Sequence, residues 1–414
     1  MAEAFPSESV LSEGGAQGRG LVGAFESAWF VYFLTGFYVV ADDYLPIPSF
    51  YLVVGVFLLY FAMARPFQLA EVALKPIFWV WALTMLIPLL LYFSGGSANP
   101  FAWSSATLRT TIFAAFAGSA VLLSAPRGAE TLRAAARIAL ATAVLLSFAD
   151  LVFENPYNRS EETGRTSGLY ADANTSAAAI GALLLLAVDV TKQSFKGLLV
   201  VGISVLAIIS TQSRSGMIFA VFLLAAYLLL PRGPGTLPRF ARFGVGLIGL
   251  VFIVGLVLIT PLLIDIDTAE AWRLQSLLTL DFDDGSAQGR VVRFEFALSQ
   301  FLDNFWSGKG IGAPRFYGIF SHNAFLETAV EYGVGGLLIY LFLIGNAFFR
   351  CFRFGIQKSW TPILITTQIL YYSFFSHTIQ QLPVYAVFFA GILVGTFFEE
   401  HDSKDSLTGP GAPA

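Results

Sequence analysis

Charged residues are scarce in this sequence. They account for 13% of its 414 residues, whereas hydrophobic residues account for 56%, and an ordinary soluble domain has about 25% charged residues. The composition therefore excludes a typical soluble globular protein. The formal net charge of -4 is small and gives no indication of a nucleic-acid partner. The single cysteine, Cys351, excludes an internal disulfide and is interpreted as a small apolar residue at a helix end.

Motifs that carry nucleotide or metal chemistry are also missing. The sequence has no glycine-rich GxxxxGK[ST] phosphate loop and no group of Cys and His residues at metal-ligand spacing. It contains three histidines, His322, His377 and His401. ATP hydrolysis and a zinc centre are therefore not expected, and the sequence predicts no cofactor and no bound metal.

Long apolar runs recur along nearly the whole chain. A bilayer-spanning helix needs about 17 to 25 mostly apolar residues, and polar breaks divide the sequence into segments of about this length. We predict an all-α polytopic membrane protein with about twelve transmembrane helices and no second soluble domain. The predicted segments are 24–41, 49–64, 76–94, 110–125, 134–153, 174–190, 197–212, 215–231, 243–263, 324–349, 361–378 and 382–398.

The distribution of Lys and Arg predicts how these segments are oriented. With the N-terminus in the cytoplasm, most of the 24 basic residues fall on short cytoplasmic segments. That bias is typical of cytoplasmic loops, so we expect both termini in the cytoplasm. The basic residues expected outside are Arg109, Arg159, Arg165, Arg214, Arg273, Arg290, Arg293, Lys309 and Arg315.

The same assignment divides the chain into five parts. These are a cytoplasmic N-terminal tail (1–23), nine helices (24–263), a periplasmic loop (264–323), three helices (324–398) and a cytoplasmic C-terminal tail (399–414).

The external loop 264–323 is the one long stretch that does not resemble a membrane span. Five of its apolar residues recur at roughly helical spacing, which predicts an amphipathic helix at the membrane interface or over a cavity mouth. They are Val291, Phe294, Leu298, Phe301 and Leu302. Long ordered loops are usually lids or binding elements, so this loop is the expected place for chemistry.

Four arginines at this face are candidate ligands for phosphate. Arg290 and Arg293 lie three residues apart and share a face of the predicted helix, and Arg315 follows in the same loop. Arg214 lies between two apolar runs with almost no polar spacer, at the outer boundary of the bundle. A charge there is costly and by default marks a functional site, although snorkelling to the headgroups is the simpler alternative. Several planar guanidinium groups that converge suit a diphosphate.

His322 and Asn323 directly precede the apolar segment 324–349 on the external face. An imidazole with a pKa of about 6.5 serves either as a proton acceptor or as a cationic phosphate ligand, and the sequence leaves both roles open. A purely structural alternative is a helix start, since Asn is a preferred capping residue. His377 lies at the same face without a charged neighbour and is interpreted as structural, and His401 as a residue of the tail.

Two segments resemble motifs of the O-antigen ligase and O-antigen polymerase superfamily closely. HNAFLETAVEYGVGG places nine residues between His322-Asn323 and Gly333, and two more before Gly336, which fits the pattern H[NSQ]-x9-G-x-x-[GTY]. STQSRSG resembles the Ser-Arg-Gly stretch of the family at an outer helix end, with Ser215 where glycine is common.

Two further segments resemble the family less closely. GRVVRFEFALSQFLDNFWSGKGIGAPRF resembles its external loop, in which Gly-Arg precedes an aromatic residue, an amphipathic helix and GxG; here Phe294 replaces the usual tryptophan. GLYADANTSA is similar to the Gly-to-Asn-Pro-Asn entry into a span, with Asp172 and Ala173 departing from it. The resemblance covers roughly residues 165–345, and its specificity lies in the order of the four motifs around one external loop.

The resemblance implies a GT-C-like glycosyltransferase of the bacterial inner membrane, with its active site facing the periplasm. The implied donor is a glycan on undecaprenyl diphosphate. The implied acceptor is the lipid A core of lipopolysaccharide for a ligase, which we favour slightly, or another lipid-linked repeat unit for a polymerase of O-antigen or exopolysaccharide. By resemblance, Arg214 and Arg290 hold the diphosphate and His322 assists transfer, without a metal or nucleotide.

Further contacts to the diphosphate or glycan are expected from Arg293, Arg315 and Asn323. Membrane lipid is the other expected partner, and the sequence leaves the oligomeric state open. A polysaccharide transporter is the alternative from another class. It predicts internal repeats and charged residues near the bilayer midplane, whereas the basic residues of interest lie at the external rim, so the sequence favours an enzyme.

Overall fold

The protein is described here by a computed structural model. The structure describes residues 11–38, 41, 49–93, 99–153, 155, 165–170, 172–190, 194–230, 285–318, 321–355, 359–376 and 379–398. All the regular secondary structure within these ranges is helical.

Fourteen α-helices and a short 3-10 helix, Ile379–Gln381, are described. In chain order the α-helices are α1 Leu11–Thr35, α2 Ser49–Ala64, α3 Pro66–Ala73, α4 Pro76–Phe93, α5 Ala102–Leu123, α6 Gly128–Ala149, α7 Ala173–Ala187, α8 Phe195–Ser210, α9 Arg214–Leu229, α10 Gly285–Asp303, α11 Ala313–Phe316, α12 Ala324–Arg353, α13 Trp360–Phe375 and α14 Pro383–Val394.

The prediction of an all-helical membrane protein is confirmed. Each predicted span overlaps one of these helices, except 243–263, which lies outside the described residues. By length and composition, α5, α6 and α12 are able to cross a membrane. The pair α2 and α3 would add a fourth, although it is bent by 102°. Twelve spanning helices and a GT-C-like fold therefore remain predictions.

Contacts between helix ends define the two ends of the bundle. At one end, the Tyr170 hydroxyl, just before α7, donates to the Leu34 carbonyl near the end of α1 at 2.9 Å. At the other end, Arg350 near the end of α12 donates to the Leu393 carbonyl near the end of α14 at 2.9 Å. We call these the His322 end and the Arg353 end, after the residues that flank α12.

Helix α7 lies at the centre of the bundle, and its small residues allow close packing. All of its residues except Asn174 are buried, many of them alanines. A β-carbon on Gly181 would lie 2.5 Å from Gln368 Nε2 on α13, and that nitrogen donates to the Ala178 carbonyl at 2.8 Å. Association of helices in lipid depends on such small residues and interhelical hydrogen bonds.

Helix α12 is interrupted at Gly333, where φ is 67° and ψ is -163°. The break leaves backbone groups without partners in their own helix, and buried groups of this kind are costly. The loop after α10 supplies partners. Lys309 N donates to the Val330 carbonyl at 2.7 Å, Gly310 N to the Glu331 carbonyl at 3.1 Å, and Val334 N to the Phe305 carbonyl at 2.8 Å.

Two glycines make this approach possible. A β-carbon on Gly333 would lie 2.4 Å from the Trp306 carbonyl oxygen, and one on Gly308 would lie 2.5 Å from the Glu331 backbone. Both residues also have positive φ, which favours glycine. The GxG motif after α10, which includes Gly308, and Gly333, eleven residues after His322, therefore act together. They form a backbone clamp between loop 305–310 and α12.

Substitution of Gly333 by alanine is expected to lower stability by more than about 1 kcal/mol, since the new residue would be forced into an unfavourable φ against a backbone carbonyl. Thermal unfolding of the purified protein in detergent measures the change. Gly345→Ala in the same helix is the control, because no atom lies within 4 Å of its β-carbon position. Equal melting temperatures for the two variants would contradict the clamp.

Candidate active site

The first candidate residues lie where α12 begins. Asn323 is its N-cap, and its Oδ1 accepts a hydrogen bond from Leu326 N at 3.0 Å. The residue before it, His322, has a φ of 51°. Positive φ is uncommon for a residue with a side chain, and such strained positions cluster at functional sites. The capping role considered for Asn323 is therefore observed, while His322 is held in a constrained backbone conformation beside it.

His322 faces two arginines of α10. Its Nε2 lies 3.4 Å from Arg293 Nη1, and a guanidinium donates hydrogen bonds without accepting them. Nε2 is therefore the acceptor, and the ring proton lies on Nδ1. Burial, followed by the positive charges of Arg290 and Arg293, lowers the pKa of His322 to about 4, against a smaller opposing effect of Asp172. The imidazole is consequently neutral near pH 7.

Helix α10 brings these arginines into position. Ala297 and Phe301 of α10 are buried against a small apolar cluster of α12 that includes Leu326 and Val330. Arg290 and Arg293, one to two turns earlier, are exposed beside the start of α12. Helix α10 is observed where the spacing of apolar residues predicts a helix. Of the five apolar residues used for that prediction, only Phe301 is buried. The other four form an exposed apolar surface: Val291, Phe294, Leu298 and Leu302.

Arg214 is the first residue of α9 and is half-buried. The preceding residue, Ser213, caps α9 by accepting a hydrogen bond from Gly216 N at 3.1 Å. Its hydroxyl donates in turn to Asn174 Oδ1 in the first turn of α7 at 2.7 Å. A second arginine, Arg165, donates to the same oxygen at 3.3 Å. The starts of α7 and α9 are thus joined, with two arginines beside the junction.

Asp172 connects this junction to the histidine. It caps α7, with Oδ1 accepting from Asn174 N at 2.9 Å and from Thr175 N at 3.0 Å. Its charge also acts on His322. At the His322 end of the bundle lie the starts of α7, α9 and α12 together with the arginines of α10. The structure therefore brings Arg290, Arg293, His322 and Asn323 into one region. Arg214 lies on the side of this region where Asp172 is found.

Arg315 has a different neighbour. It lies in the short helix α11 and is half-buried. Its positive charge acts on the buried carboxyl group of Glu327, in the first turn of α12. Among the described contacts, none joins Arg315 to His322.

A buried ion pair supports the loop next to this site. Arg109 Nη2 on α5 lies 2.9 Å from Glu331 Oε2 on α12. The other oxygen of Glu331 accepts from Gly312 N at 3.0 Å, and Arg109 Nη1 donates to Gln380 Oε1 at 2.8 Å. Because buried charges persist when they are paired and hydrogen-bonded, this arrangement ties the loop that follows α10 to α5 and α12. It also neutralises Arg109.

Arg109 and Gln380 line one side of a cavity of about 230 Å³. The rest of its wall is mostly apolar and comes from α4, α5, α12, α13 and α14, with residues such as Ile112, Ile339 and Phe389. This cavity suits an apolar chain that carries a polar group at one end.

Sequence reasoning did not single out Arg165, Asp172, Arg109 or Glu331 as parts of a site. Arg165 and Arg109 were counted only as external cations, and the motif containing Asp172 was noted for its departure from the family. Arg109 and Glu331 lie 222 residues apart, so no local sequence pattern predicts that they pair. His377, Arg159 and Arg273 lie outside the described residues.

The comparison with known protein families agrees with this location. A sequence model described as O-antigen ligase matches residues 198–341. The match covers less than half of the chain, and for these residues it confirms the resemblance to the O-antigen ligase and polymerase superfamily. Members of the family are glycosyltransferase-like enzymes, ligases and polymerases, that act on lipid-linked glycans in membranes. No curated protein matches the chain.

Replacement of Arg293 by glutamine is expected to raise the pKa of His322 above about 4, because a nearby cation disfavours the imidazolium. Part of the depression will remain, since burial is its largest cause. NMR titration of labelled histidine, assigned with a His322→Asn variant, measures the change. Arg315→Gln is the matched control and should leave the titration unchanged; an unchanged pKa in Arg293→Gln would remove the contact on which the site is built.

Proposed function

We propose that this protein is an O-antigen ligase-like glycosyltransferase of the bacterial inner membrane. It transfers a glycan from undecaprenyl diphosphate to a lipid A core acceptor at the periplasmic face, with both chain termini in the cytoplasm. The observation that carries the proposal is a neutral His322 beside Arg290 and Arg293, at the start of an interrupted helix within the matched family region.

The donor diphosphate binds the cations at the His322 end. Arg290 and Arg293 are exposed to an incoming ligand, and Arg214 lies at the junction of α7 and α9. The segment of α12 before Gly333 adds a helix N-terminus, whose positive dipole end favours an anion. Arg315 is a further ligand of the diphosphate, from the short helix α11 in the loop that follows α10. Asn323 contacts the glycan through its side-chain nitrogen while its Oδ1 caps the helix.

The isoprenoid chain of the donor has a suitable path. The cavity of about 230 Å³ has a mostly apolar lining, and Leu83 and Ile87 at its edge are exposed on the outer surface of α4. A lipid chain reaches it laterally between helices, while the diphosphate stays at the bundle end.

His322 acts as the general base. The acceptor hydroxyl takes the place of Arg293 at Nε2 and loses its proton to that nitrogen as its oxygen forms a bond to the anomeric carbon of the sugar. The bond from that carbon to the phosphate oxygen breaks, and the diphosphate leaves with the electron pair, so the sugar carbon is inverted. Negative charge grows on the leaving group, and fixed arginines stabilise it more in the transition state than in the ground state. The arginines supply the positive charge that a metal provides in other transferases.

Alanine at Arg214, Arg290 or His322 is expected to reduce glycan transfer strongly, by roughly 10²- to 10³-fold for an arginine and about 10²- to 10⁴-fold for the histidine. Purified lipid-linked donor and acceptor in detergent provide the assay. Arg127→Ala, an exposed arginine just after α5 at the Arg353 end, is the control and should retain full activity.

The products of this assay also distinguish the alternatives. One glycan per acceptor indicates a ligase, whereas a ladder of lengthening chains indicates a polymerase. Near wild-type transfer by all three folded variants would place the active site elsewhere. Movement of donor across liposomes by the wild-type protein, with no product formed, would establish a transporter instead.

The pH dependence of kcat/KM separates the two roles of the histidine. A general base must be unprotonated, so activity should fall only as the pH approaches about 4, with no inflection near 6.5. In Arg293→Gln the acid limb should move to higher pH, in step with the raised pKa. Activity that instead declines as the pH rises through about 4 would assign the imidazolium as a phosphate ligand.

A further inference from the structure

A second basic site lies at the Arg353 end of the bundle, at the opposite end of α12 from His322. A groove of about 660 Å³ is formed where the junction of α3 and α4 meets the ends of α12 and α14. Its polar lining residues are Lys75, Asn346, Arg350 and Arg353. The proposed transfer reaction uses none of them.

Three of these residues form one face of α12. Asn346, Arg350 and Arg353 are separated by four and three residues, a spacing that places side chains next to one another along a helix. Arg350 is held in place because its Nη1 donates to the carbonyls of Ile392 and Leu393 near the end of α14. The groove therefore has one cation fixed at its wall and another, Arg353, exposed at its mouth.

The groove has an excess of positive charge. Lys75 pairs with Glu71 at 3.2 Å, but the Glu71 side chain is 60% exposed, and exposed pairs are weak. No acidic residue is among those that line the groove in the described part of the chain. An anion that enters it meets Lys75, Arg350 and Arg353 together.

The remaining wall of the groove is apolar and continues along the side of the bundle. Ile77 and Val80 of α4 and Phe342 of α12 line it, and Phe342 is 52% exposed. These residues lie further from the helix ends than the cations, towards the interior of the bilayer. The groove thus offers positive charge to a headgroup and an apolar surface to the chain attached to it.

We propose that this groove binds an anionic phospholipid, with the phosphate diester on Lys75, Arg350 and Arg353 and an acyl chain against Val80 and Phe342. Basic pockets between transmembrane helices are suited to such headgroups. A soluble anion would use the cations but would gain nothing from the apolar wall, so a lipid is the ligand that matches the whole groove.

Native mass spectrometry of the full-length protein in detergent, titrated with phosphatidylglycerol, tests the proposal. The Lys75→Gln/Arg353→Gln variant is expected to bind the lipid roughly 25-fold more weakly, about fivefold for each cation. Arg127→Gln, which removes an exposed cation outside the groove at the same end, should bind like the wild type. Arg353→Lys retains the charge and should also retain binding.

Two further arms identify the source of the anion. Val80→Trp keeps every cation but obstructs the apolar wall, so it should weaken lipid binding as well. Phosphatidylcholine and inorganic phosphate should not compete. The proposal is overturned if phosphatidylcholine binds the wild type equally, if inorganic phosphate displaces the lipid, or if Arg127→Gln loses as much affinity as the double variant.

Discussion

The interruption of α12 at Gly333 is the constraint on which the rest of the site depends. A helix cannot be broken inside an apolar bundle unless its backbone groups find other partners, because each unpaired group is costly there. Residues 305–310 provide those partners through three backbone hydrogen bonds. The loop is therefore attached at a fixed point, and α10 before it packs on the first segment of α12.

This attachment explains how residues from distant parts of the chain meet. Once α10 is packed on α12, Arg290 and Arg293 lie beside His322, and the strained backbone at His322 presents its ring to them. The capping bonds of Asp172 and Ser213 fix the starts of α7 and α9 at the same end. Each contact is modest, and most are made by backbone groups at helix ends, where hydrogen-bonding partners are needed in any case.

Positive charge is used in three different ways in this structure. Arg109 is buried, paired with Glu331 and committed to holding the loop. Arg290 and Arg293 are exposed, and their charge adds to the effect of burial in lowering the pKa of the neighbouring His322. At the far end of α12, Arg350 and Arg353 line a groove with an apolar wall. A cation suits anion binding when nearby carboxylates do not already neutralise it, so the surroundings of each arginine, rather than its presence, decide its role.

The sequence by itself determined the helical membrane architecture and the family resemblance of residues 198–341, since hydropathy and short motifs are local properties of the chain. It also singled out His322 and the arginines Arg214, Arg290, Arg293 and Arg315. Only the tertiary structure decided which arginines lie beside His322 and which, like Arg109 and Arg315, lie beside glutamates. The tertiary structure also explains the glycines of the motifs, because Gly308 and Gly333 are required where two backbone segments are in contact. Such contacts join residues far apart in the chain, and neither hydropathy nor motif spacing encodes them.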